Sequence, residues 1–215
     1  SAGLKEMDEA RERIELGLKR KLKLTKEELT ATAYHEAGHC IAEYYSGNGN
    51  FPFKLSIIPR KGTLGVAWYA TKGDRSAGTK KELLNEIKVF LGGYAAERIH
   101  GTTSNGVSHD FSVAMSKAHS MVWRWGMGKS GFIGDFLFSE RSHELLSETM
   151  KAKLDQETQS LLQECLNEVE DLLKRESKLL EELINELLKK EELTYSELEE
   201  IFNKYAKEKP EKPAA

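Results

Sequence analysis

Ala33-Tyr34-His35-Glu36-Ala37-Gly38-His39 is the stretch on which the reading of this chain turns. Residues four apart share a helix face, so the imidazoles of His35 and His39 can converge on one cation with the Glu36 carboxylate beside them. The flanking residues predict the helix that this requires. Thr25 and Glu28 stand at capping-box spacing, and Ala31, Ala33, Tyr34, Ala37, Cys40, Ile41, Tyr44 and Tyr45 supply an apolar surface before Gly47 ends the run. Gly38 costs such a helix about 1 kcal/mol relative to alanine, which signals a packing or functional demand at that turn.

His-Glu-x-x-His on a helix is the pattern that metal-assisted hydrolysis of peptide bonds uses, with Glu36 placed to take the proton of the attacking water and pass it to the leaving amine. A catalytic zinc ion needs a third protein ligand. The extended pattern His-Glu-x-x-His-x-x-Gly-x-x-His is excluded, because Ala42 and Tyr45 occupy the positions that would need Gly and His. No carboxylate or imidazole lies between Glu43 and Asp74. The third ligand therefore comes from farther along, and on residue type His100, His109, Asp110 and His119 are the candidates. Asp110 fits a helix start: Ser108 reads as an N-cap for the run Phe111, Ala114, Met115, Ala118, Val122 and Trp125, which puts Asp110 in the first turn, where backbone N–H groups favour an anion.

With 215 residues, 39% of them hydrophobic, the chain can bury a core as one domain, or as one domain with a helical appendage. A net charge of −3 and the lack of an unbalanced Lys/Arg block argue against nucleic acid and anionic membrane as partners. Cys40 and Cys165 read as buried free thiols of a reducing, cytoplasmic compartment. No apolar run reaches membrane-spanning length.

Residues 8–23 are charged and read as helical. Residues 53–59 and 64–70 are β-rich and flank Arg60-Lys61-Gly62-Thr63, which predicts a hairpin. Thr79 and Glu82 open a second capping-box helix, with Leu83, Leu84, Ile87, Phe90, Leu91 and Tyr94 on its apolar side and Gly101 past its end. Residues 128–142 read as a loop. From about residue 143 to 190 leucines recur at helical spacing among Glu and Lys, and Thr194 with Glu197 starts a last short helix. Residues 208–215, with Pro210 and Pro213, read as a frayed tail.

Several segments together resemble the FtsH family of ATP-dependent zinc proteases. Ala33 to His39 is similar to that family's zinc helix, and Ile57-Ile58-Pro59-Arg60 with Leu64-Gly65-Val66 to its strand pair. Gly92-Gly93-Tyr94-Ala95-Ala96-Glu97 resembles its next helix, Ser104-Asn105-Gly106-Val107-Ser108-His109-Asp110 the segment carrying an aspartate ligand, and Arg124-Trp125-Gly126-Met127 the stretch after that segment. The resemblance implies Zn2+ as cofactor, His35, His39 and Asp110 as its ligands, and Glu36 as the catalytic carboxylate. His109, which departs from the family pattern, is the rival ligand, otherwise a solvated helix-start residue. The resemblance also implies that Leu64, Gly65, Val66, Ala67, Trp68, Tyr69 and Ala70 form an exposed edge to which an extended substrate adds by main-chain pairing.

The fold class expected is mainly α with a small β-sheet (α+β): a zinc-helix metalloprotease core plus a C-terminal helical bundle. Its expected parts are a charged junction at 1–24, the protease core at 25–142, a helical region packing on it at 143–207 and the tail at 208–215. The expected function is a zinc-dependent endopeptidase for unfolded or misfolded polypeptides in protein quality control, homo-oligomeric and hexameric as in the family, and fed by an AAA ATPase module. Neither a phosphate-binding Gly-x-x-x-x-Gly-Lys-Ser/Thr loop nor a membrane span is present, so this segment has no direct membrane insertion and needs the ATPase from elsewhere. Ser1-Ala2-Gly3 resembles a cloning scar, which favours a protease domain cut from a longer protein, at the cytoplasmic face of a membrane if that protein is anchored there. The contrasting reading is a catalytically silent scaffold or assembly module; the presence of all four site residues opposes it.

Overall fold

A computed structural model describes residues 24–47, 51–59, 64–69, 78–141 and 146–207. The junction read at residues 8–23, the turn at 60–63, Ala70 and the tail at 208–215 lie outside the described residues. The first helix, α1 (Lys26–Tyr45), starts at Thr25 with both halves of a capping box: the Thr25 hydroxyl accepts from Glu28 N–H and the Glu28 carboxylate accepts from Thr25 N–H at 2.7 Å. The second, α2 (Lys80–His100), begins the same way at Thr79 and Glu82 and ends on Gly101 with φ +87°, a left-handed cap suited to glycine. A 3-10 turn (Asn105–Val107) leads into α3 (Ser108–Trp123).

The cross-packing of α1 on α2 explains Gly38. It faces Gly92, and a Cβ on Gly92 would lie 2.7 Å from the Gly38 carbonyl oxygen, so the two backbones touch with no room for a side chain between them. That approach brings the His35–His39 face of α1 against the middle of α2.

Strand β1 (Pro52–Ser56) pairs antiparallel with β2 (Val66–Tyr69), with Leu55 opposite Ala67, as the predicted hairpin requires. A third strand, β3 (Glu192–Thr194), pairs with the other side of β1, giving the order β2-β1-β3 and, among the described residues, leaving β2 at an edge. The leucine stripe forms two helices, α5 (Glu148–Arg175) and α6 (Ser177–Lys190), broken at the buried Glu176, whose carboxylate accepts Lys207 N–H at 3.1 Å. The last helix, α7 (Tyr195–Tyr205), opens with the expected Thr194–Glu197 capping box. The stretch read as loop at 128–142 contains the short helix α4 (Phe136–Arg141).

One hydrophobic core runs from Ala37 and Ile41 of α1 through Leu55 and Ile87 to Leu154, Leu173, Leu183 and Phe202. The fold is thus mainly helical with one small antiparallel sheet. Among the described residues no helix is long and apolar enough to cross a membrane. Cys40 and Cys165 are free and buried, and burial pushes both thiols up, Cys165 to about 11.

Candidate metal centre

Three side chains from two helices meet at the α1–α2–α3 junction. His35 and His39 project from adjacent turns of α1, and Asp110 comes from the first turn of α3. His35 Nε2 lies 3.0 Å from His39 Nε2, and Asp110 Oδ2 lies 3.3 Å from the first and 3.4 Å from the second. Among the described residues this is the group of His, Cys, Asp and Glu side chains that could hold a metal ion.

Each imidazole is oriented from behind. His35 Nδ1 donates to Glu97 Oε1 at 2.8 Å and His39 Nδ1 to the Val89 carbonyl at 2.7 Å. Acceptors that carry no proton oblige both Nδ1 atoms to be the N–H, so in the neutral rings both Nε2 atoms present lone pairs. Two imidazole nitrogens and a carboxylate oxygen within 3.0–3.4 Å of one another form an electron-rich cluster that either a shared proton or a metal cation neutralises. For tetrahedral zinc with ligand bonds near 2.0–2.1 Å, donor atoms should stand about 3.3 Å apart, and the observed 3.0, 3.3 and 3.4 Å fit that triangle.

The electrostatics point the same way. Burial disfavours charge on His35, but hydrogen bonds to Asp110 and Glu97 and the field of Glu36 outweigh it and lift the imidazole to about 10. Burial likewise disfavours the Asp110 carboxylate, yet its two histidine partners hold it well below the usual range. The junction therefore demands positive charge.

Glu36 is buried, 6% exposed, directly beside this triangle. Burial raises its pKa, opposed by the two histidines and by a hydrogen bond from Ala67 N–H of β2. Gly65 packs on the same carboxylate: a Cβ there would lie 2.6 Å from Glu36 Oε1. The structure thus brings the edge strand against Glu36. Val66, Ala67, Trp68 and Tyr69 form it, exposed Leu64 and buried Gly65 precede it, and Ala70 lies outside the described residues.

The rival ligands stand apart. His109 is exposed, His100 stacks on Tyr34 at 4.1 Å, and His119 stacks on Trp123 at 4.7 Å. Ser108 is a correction: it is the first helical residue, not the N-cap, because the 3-10 turn absorbs the approach and Val107 takes the cap position. Its hydroxyl instead donates to the Asn105 carbonyl at 2.7 Å.

Two contributors had no assigned part in the sequence reading. Glu97, 2% exposed, is the carboxylate that sets the His35 tautomer; burial opposes its charge, but His35 and Ser104 outweigh it and keep it below the ordinary range. An acid closing the small-residue run Gly92 to Ala96 was the available signal. Gly93 is the other: a Cβ on it would lie 2.6 Å from His35 Nδ1 and 2.7 Å from His39 Nε2.

A helix presenting two histidines and a glutamate, completed by an aspartate from a later helix, defines a metallopeptidase type of centre. Comparison with known proteins places the chain accordingly: residues 22–201 match the model of Peptidase family M41, and the chain belongs to that family. It is 39% identical over 210 residues to an ATP-dependent zinc metalloprotease FtsH of Borreliella burgdorferi, covering 93% of this chain and 33% of the relative. FtsH 1 of Rhodopirellula baltica is 35% identical over 212 residues, covering 93% and 31%, and FtsH of Thermobaculum terrenum is 34% identical over 206 residues, covering 90% and 31%. The chain spans about a third of the length of these curated relatives.

Proposed function

We propose that this chain is a zinc-dependent endopeptidase in which His35, His39 and Asp110 hold the ion and Glu36 is the general base. The convergence of three electron-rich donor atoms beside a buried carboxylate carries the reading. Zinc would supply Lewis acidity, lowering the pKa of a water and polarising the scissile carbonyl. Glu36 takes the proton of the attacking water and delivers it to the leaving amine; burial, outweighing the opposing pull of the two imidazoles, keeps its pKa above the usual carboxylate value, which suits a group that must both accept and return a proton. Glu97 and the Val89 carbonyl keep both histidines in the ligating tautomer.

The substrate class is unfolded or flexible polypeptide. Strand β2 is an edge strand whose Ala67, with Gly65 just before it, already touches Glu36, so an extended chain adding to that edge would run past the reacting centre. Main-chain pairing grips with little sequence preference, which suits delivery by an ATPase module, in keeping with the ATP dependence in the relatives' names, and the homo-oligomeric assembly that the family resemblance implies. Replacing Glu36 by Gln should keep zinc and lower casein cleavage by about 10²–10⁴-fold, since only the proton acceptor is lost. A zinc-loaded Glu36→Gln protein that cleaves at the parental rate refutes the assignment.

A further inference from the structure

The loop joining α2 to α3 is folded around one side chain, Glu97. Its main-chain carbonyl accepts Thr102 N–H at 3.1 Å, and its carboxylate accepts Ser104 N–H at 2.6 Å on Oε2 and the Ser104 hydroxyl at 3.1 Å on Oε1. Oε1 is the same oxygen that receives His35 Nδ1. Ser104 Oγ also accepts Gly106 N–H at 3.2 Å, closing the 3-10 turn, and that turn hands on to α3 through Ser108 N–H and Oγ on the Asn105 carbonyl. Two residues into α3 stands Asp110, back within 3.3 Å of His35 Nε2.

We propose that Ser104 is a positioning residue of the metal centre: one hydroxyl couples the carboxylate that orients His35 to the turn that delivers Asp110. The inference rests on the ligand assignment above and extends it to a residue outside the centre. Glu97 alone could orient His35, and the 3-10 turn alone could start α3; only Ser104 Oγ belongs to both, donating to one and accepting from the other. Without it, Glu97 keeps the Ser104 N–H on Oε2, but Oε1 is tied to His35 alone and the Gly106 N–H loses its partner. The two halves of the ligand triangle can then drift independently, and metal sites tolerate little drift.

The test compares Ser104→Ala, Ser104→Thr and Ser108→Ala with the parent, by zinc competition against a chromogenic chelator and by the visible spectrum of the cobalt-loaded proteins. Ser104→Ala should weaken zinc binding about tenfold, the lower end for groups supporting a ligand from behind, and alter the cobalt bands. Ser104→Thr keeps the hydroxyl and should restore both. Ser108→Ala removes a hydroxyl bond from the same turn without touching Glu97, so it should leave both at parental values. Parental affinity and spectrum in Ser104→Ala overturn the proposal, as does an equal loss in Ser108→Ala, which would assign the effect to turn stability. If the parent holds zinc but Asp110→Asn binds it equally well, the ligand assignment fails instead, a result separable from parental behaviour of Ser104→Ala.

Discussion

Gly93→Ala is the sharpest perturbation the structure offers, because it adds one carbon at the back of the ligand triangle. The new Cβ would stand 2.6 Å from His35 Nδ1 and Cε1 and 2.7 Å from His39 Nε2. Non-bonded heavy atoms settle at about 3.5–4.0 Å, so the rings must retreat by about 1 Å. They are not free to swing aside, since both Nδ1 atoms are tied, one to Glu97 and the other to the Val89 carbonyl. Metal bonds hold only within about 0.2 Å, so zinc affinity should fall about 100-fold or more. The fold should survive: a helical Gly→Ala change gains about 1 kcal/mol of propensity against about 1–3 kcal/mol of overpacking, leaving a net loss of about 0–2 kcal/mol. Gly92→Ala is the contrast, because its Cβ meets the Gly38 backbone and must push α1 off α2, losing stability and metal together. Chelator competition for zinc, with thermal melts of the metal-stripped proteins, separates the two. A Gly93→Ala protein that keeps zinc within about threefold of the parent would refute the steric argument.

Asp110→Asn should weaken zinc binding by more than tenfold, while His109→Ala, on an exposed position, should leave it unchanged; metal titration in the reverse order would transfer the third ligand to His109. Zinc uptake should also be proton-linked. With no cation bound, the His35 imidazole is lifted from 6.5 to about 10, its bonds to Asp110 and Glu97 outweighing burial, so binding near neutrality must expel that proton. Affinity should then rise about tenfold per pH unit through the neutral range, and a flat affinity there contradicts it. In the metal-stripped chain the same raised pKa gives a stability contribution fully present below 6.5 and lost as pH rises through about 10.

What could be read from residue order divides along a physical line. Helix starts at Thr25, Thr79 and Thr194 were legible because capping boxes are local, and Gly101 was legible because a left-handed cap favours glycine. The break between α5 and α6 was not, since it falls at Glu176, with no Gly or Pro to mark it, and is held by a bond to Lys207 N–H from 31 residues away. Strand β3 was hidden for a related reason: α6 ends on Glu191 at φ +62°, a left-handed conformation adopted by a residue that rarely takes it. The Glu191 carbonyl, accepting Ile57 N–H at 2.9 Å, shows that sheet pairing supports that turn from outside it.

The metal centre divides the same way. His35, Glu36 and His39 lie within five residues and their spacing alone implies a shared cation. Asp110 could be singled out from His100, His109 and His119 only by resemblance, because its candidacy depends on how α2, packed against both α1 and α3, brings the start of α3 to the histidines, which no local pattern encodes. The orienting shell is less legible still. Glu97 acts on His35 from 62 residues away, and Gly93 acts by lacking an atom. Both lie on α2, which crosses α1 at backbone contact through Gly38 and Gly92. The one glycine whose cost was apparent in the sequence is therefore the one that lets a second helix come close enough to orient the histidines, so the packing demand and the functional demand at Gly38 are the same demand.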